Sequence, residues 1–70
     1  MSVDESFPSG TVFYDWEGIP VAVVPEPDGG KRGWAFDPTK RPFNPATALL
    51  HGTRITEAEF RAKARSHTGR

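Results

Sequence analysis

The chain has 70 residues, nine basic and nine acidic side chains, a formal net charge of zero and no cysteine. That length caps it at one small domain, and the missing cysteine excludes a disulfide framework or a zinc-thiolate site. No apolar run approaches the ~18 residues of a membrane span, and the N-terminus lacks the basic-then-apolar form of a signal peptide, so a cytoplasmic product is the expectation.

Residues 1–9 are polar, carry Asp4 and Glu5, and read as a disordered start. Met1 followed by a small residue suggests a complete gene product. The single α+β domain is expected over residues 10–66, with a frayed tail over residues 67–70.

The strongest local signal is TVFYDWEGIPVAVV, residues 11–24. Glu17-Gly18 fits a two-residue hairpin turn, although Asn-Gly or Asp-Gly would suit it better. That register sets Trp16 against Ile19, Tyr14 against Val21 and Val12 against Val23. All six are apolar and share one side of the pleat, as a buried face requires. The other side carries Thr11, Phe13, Asp15, Pro20, Ala22 and Val24. Pro20 lacks an N–H on the side away from the first strand, so a third strand must stop short of it. Residues 25–33 form a turn-rich connection. Residues 33–37, GWAFD, read as a short third strand ending near Pro20.

Residues 38–45, PTKRPFNP, read as a proline-interrupted connection. Asn44 is a good N-cap and Pro45 a good first helical residue. Residues 46–51 then form a short helix that Gly52 stops. Thr56 opens a second helix, with Glu59 completing a capping box. Glu57–Arg61 and Glu59–Lys63 are favourable i,i+4 pairs, and Phe60 with Ala64 forms the buried stripe. The expected fold is α+β: a β-hairpin or three-stranded antiparallel sheet followed by one or two short helices on one face. A small SH3-like or OB-like barrel with a C-terminal helix is the alternative. With few large aliphatic residues, the fold is marginal alone, and a partner would help it.

Charge is sorted along the chain. Residues 1–30 hold six acids and no bases, and residues 31–70 hold nine bases and three acids. The halves either neutralise each other on folding or form a bipolar surface for a charged partner or a second copy. Lys31, Arg32, Lys40 and Arg41 bracket Trp34, Phe36 and Phe43. Cations for phosphate beside ring faces for stacking are what single-stranded nucleic acid requires, so Lys31, Arg32, Trp34, Lys40, Arg41 and Phe43 are candidates for it. Trp34 and Phe36 are equally expected as core, and zero net charge weakens a non-specific electrostatic term.

Asp28-Gly29-Gly30-Lys31 fails as a phosphate loop, because Pro25 and Arg32 stand where that motif needs Gly and Ser or Thr. His51 and His67, sixteen residues apart, make no metal pair, and His51 better suits a helix C-terminus. The four serines lie in segments expected to be mobile, and Asp15 with Glu17 flanks a turn rather than a cleft. Neither catalysis nor a cofactor is expected. A sheet with helices on one face leaves its other face open, which makes Thr11, Phe13, Ala22 and Val24 candidates for a protein interface. Strand one is expected at a sheet edge, open to strand addition. The leading expectation is a non-catalytic protein-interaction or accessory module that self-associates or binds another protein. Nucleic-acid binding is the alternative.

Overall fold

The computed structural model describes residues 6–36 and 40–68. Five strands and two helices follow in the order β1 (Val12–Trp16), β2 (Ile19–Pro25), β3 (Lys31–Phe36), β4 (Lys40–Phe43), α1 (Pro45–His51), β5 (Thr53–Ile55) and α2 (Glu57–Thr68). The sheet is antiparallel with spatial order β4-β3-β2-β1-β5. The α+β class stands, and the sheet does not close into a barrel.

The hairpin has the expected register, Trp16 opposite Ile19 through Val12 opposite Val23. Its turn puts both central residues at positive φ, 51° for Glu17 and 85° for Gly18. That conformation matches the strand twist but is uncomfortable for glutamate. The Gly18 N–H donates to Asp15 Oδ1 at 2.8 Å and holds the turn. The β2–β3 pairing runs from Pro25–Lys31 to Val21–Ala35 and stops before Pro20. That is the limit the missing proline N–H imposes.

Two strands were not anticipated. β4 occupies part of the expected connection, since Lys40, Arg41 and Pro42 carry no strand signature and an edge position tolerates Pro42. Asp37, Pro38 and Thr39 lie outside the described residues. β5 has three residues and pairs with β1 through Phe13–Ile55 and Asp15–Thr53. β1 is therefore interior rather than an edge, and strand addition along Thr11–Asp15 is closed.

The helices cover opposite faces, not one. On the first face, Tyr14, Val21, Val23 and Ala35 pack with Ala48 of α1. The Trp16 and Phe43 rings, from strands three places apart, meet there at 5.1 Å, so the sheet curls toward this face. On the second face, Phe13, Ala22 and Phe36 pack with Phe60 and Ala64 of α2, the expected stripe. Phe7 joins them, its ring edge-on to Phe13, Phe36 and Phe60 at 5.4–6.3 Å. Packing onto the sheet thus includes Phe7, which precedes the expected domain start at residue 10. Of the expected disordered start, residues 1–5 lie outside the described residues. At the other end α2 reaches Thr68, into the segment expected to fray, and residues 69–70 lie outside the described residues.

Both helix starts follow their sequence signals. Asn44 Oδ1 accepts from the Ala46 N–H at 2.9 Å, with Pro45 at the first helical position. Thr56 and Glu59 exchange reciprocal hydrogen bonds at 2.9 and 3.1 Å. Arg61 pairs with Glu57 at 2.7 Å, as the spacing predicts. Lys63 instead reaches Asp15 on β1 at 3.1 Å, because Glu59 is committed to the cap.

α1 crosses the first face from β4 at one edge to β5 at the other. It can lie this close because small residues lie beneath it. A Cβ on Gly33 would run into the Phe43 carbonyl where the chain turns into α1. A Cβ on Gly52 would sit 2.7 Å from the Ala48 carbonyl oxygen and 3.3 Å from Tyr14 Cβ. Gly52 has φ −86°, so it stops the helix by permitting close approach, not by a left-handed turn.

We predict that Gly33→Ala lowers stability by about 2–3 kcal/mol, a large part of the roughly 5 kcal/mol available to a domain of this size. Gly29→Ala meets only the strain of φ +92° with open space around it, about 1 kcal/mol. Urea midpoints of the two variants measure this. Equal losses would contradict the close approach of α1.

Candidate functional site

The interface residues expected from sequence do not form a surface. Phe13 and Ala22 are buried under α2, while Thr11 and Val24 are half-buried at its margin. The expected open face assumed both helices on one side of the sheet, whereas α2 covers this one.

The basic and aromatic candidates are divided by strand alternation. Lys31, Arg41 and Phe43 belong to the α1 face, with Gly33 and Ala35. Arg32, Trp34 and Lys40 belong to the α2 face, with Phe36. Phe36 is core, at 1% exposure. Trp34 is half-buried near the β4 edge, with Lys40 Nζ 4.6 Å and the Arg32 guanidinium 5.8 Å from its ring centroid. Such contacts are worth ~0.5–1 kcal/mol at a surface. Arg32 also pairs with Glu26 at 3.6 Å, which joins the acidic and basic halves of the chain. Lys63–Asp15 does the same. Part of the charge asymmetry is therefore neutralised within the fold.

A shallow recess of about 350 Å3 lies beside the start of α1, between residues 31–33 and residues 42–45. Its lining offers the Lys31 and Arg32 cations, the Phe43 ring and two prolines, with neither a carboxylate nor an imidazole. Among the described residues no group of three or more His, Cys, Asp or Glu gathers to hold a metal. Asp15 is engaged by Lys63 and by the turn, and His51 is exposed at the last turn of α1.

The surface that sequence reasoning missed is the outer side of α1. Ala48 is fully buried against the sheet, so the residues that follow it turn away. Leu49 is 51% and Leu50 77% exposed, and they are the large apolar residues exposed among those described. They are also the only leucines in the chain. Leaving a leucine in water forfeits about 1.5–3 kcal/mol of burial. Sequence carried one usable signal: PATALLH contains no Asp, Glu, Lys or Arg, which is unusual for the outside of a surface helix. Gly33 and Ala35 leave room below α1 for an alanine and not for a leucine.

On this reading Leu50→Ser changes stability by no more than about 0.5 kcal/mol. Ala48→Leu, which overfills the contact with the sheet, costs about 1–3 kcal/mol. Thermal unfolding of both variants checks it, and a large loss for Leu50→Ser would place that side chain inward.

Compared with family models, curated proteins and solved structures, the chain matches none.

Proposed function

We propose that this chain is a small non-catalytic protein-interaction module that binds through the outer side of α1. The observation that carries the reading is the adjacent, exposed pair Leu49 and Leu50 on a helix without acidic or strongly basic residues. An apolar pair held outward on a packed helix supplies the desolvatable centre that a protein contact needs. The two sheet edges are poorer candidates. β4 contains Pro42, and β5 is three residues long with a central arginine, both features that discourage strand addition. The α2 face is filled by the chain's own phenylalanines.

A second reading rests on Trp34. A half-buried indole flanked by Arg32 and Lys40 at a sheet edge suits stacking against a single-stranded nucleic acid. In this arrangement both cations already lie against the ring, so a base would have to displace them. We rank it second for that reason.

The test is a photo-crosslinking residue placed at Leu50, with Arg65 on α2 as an exposed control position. In cells that express the chain, position 50 is expected to yield a discrete polypeptide adduct that position 65 does not. No adduct, or equal adducts at both positions, overturns the reading. Adducts to nucleic acid from a crosslinker at Trp34, with none at Leu50, would favour the second.

A further inference from the structure

The α1 surface has a sign as well as an apolar centre. Strand alternation gives the face that α1 covers the residues at 12, 14 and 16, at 19, 21, 23 and 25, at 31, 33 and 35, at 41 and 43, and at 54. None of them is acidic, and α1 adds none. The charged members are Lys31 and Arg41 toward the start of α1 and Arg54 just past its end. The leucine pair thus lies between cations at both ends of a seven-residue helix. The described acids sit elsewhere: at the hairpin turns, at Asp15 on the opposite face, and in the first turn of α2.

We propose that α1 and its flanking cations form the docking site for an acidic amphipathic segment of a partner protein. Apolar side chains of that segment would cover Leu49 and Leu50, and its carboxylates would face Lys31 and Arg54. This rests on the reading of α1 as the contact surface and adds the chemistry of what binds there. Charge complementarity selects this occupant over a second copy of the chain. Two copies related by a two-fold axis through Leu50 would bring Lys31 and Arg54 of each toward the same cations of the other, and such juxtapositions oppose association. Among the described residues, strand alternation places no acid on the contact face to offset them. The leucines select a protein over a nucleic acid on this face, since a base stacks on a ring and gains little from an aliphatic pair. Lys31 also rims the shallow recess beside Phe43, where its exposed ammonium can make a charge-assisted contact with one carboxylate of the partner.

Fluorescence anisotropy with synthetic probes tests this. The probe is a labelled peptide of about 14 residues, with leucines at helical spacing and glutamates between them. Its counterpart replaces every glutamate with lysine. The intact chain at low salt is expected to bind the glutamate probe saturably and the lysine probe at least about tenfold more weakly. Leu50→Ser should weaken the glutamate probe by about tenfold. Lys31→Glu with Arg54→Glu should do so too, and should reduce the salt dependence. The neutral pair Lys31→Gln with Arg54→Gln must move binding in the same direction, with circular dichroism showing the fold intact. Equal binding of both probes, no saturable binding of the glutamate probe, or indifference to the charge changes overturns the proposal. If the crosslinker at Leu50 still captures a polypeptide while the glutamate probe fails, the contact surface stands and its acidic specificity falls. If both fail, both fall.

Discussion

The central strand imposes the constraint on which the architecture depends. In β2, Pro20, Val21, Ala22 and Val23 are all buried, so residues pointing to opposite sides of the sheet are both inside. A strand buried on both faces requires cover on both faces. The described residues supply two helices for the task. The chain resolves this by crossing the sheet twice, with α1 over one face from β4 to β5, and α2 back over the other.

The two faces are covered by different means. The α2 face is built from large rings: Phe60 lies among Phe7, Phe13 and Phe36, with centroids 4.7–5.6 Å from its own. Each such ring brings a large buried area, and favourable ring geometry adds ~0.5–1.5 kcal/mol per pair. The α1 face is built from close approach. Gly33 and Ala35 on the sheet and Ala48 on the helix bring backbone near backbone, and Gly52 lets the chain turn down into β5. Because that contact is filled by one alanine, the larger side chains of α1 have no inward position. The exposed leucines follow from the thinness of the layer.

Much of this was legible in the residues. The hairpin register was readable because six apolar residues at period two admit one pairing that buries them together. The helix starts were readable because Asn44-Pro45 and Thr56 with Glu59 are signals of local chemistry. β4 was not, since Lys40, Arg41 and Pro42 become a strand only through pairing with β3. β5 was not, because three residues carry no period. The face each helix covers was beyond local signals altogether, since it follows from where β4 and β5 lie in the sheet. That one missing fact turned Phe13 and Ala22 from an expected surface into core, and left the surface on α1 unread.

The central claim is that the chain closes both sheet faces itself and holds its leucines outward. Its only two leucines are Leu49 and Leu50, so selective labelling of leucine and valine methyl groups reports both sides of the claim at once. The direct measurement is the relaxation enhancement of those methyls by a soluble, uncharged gadolinium complex in the isolated protein. Strong enhancement at Leu50 and Leu49, with Val21 and Val23 unaffected, is the predicted result. Leucine methyls as shielded as those of Val21 would contradict it, since α1 would then be packed on its leucine side.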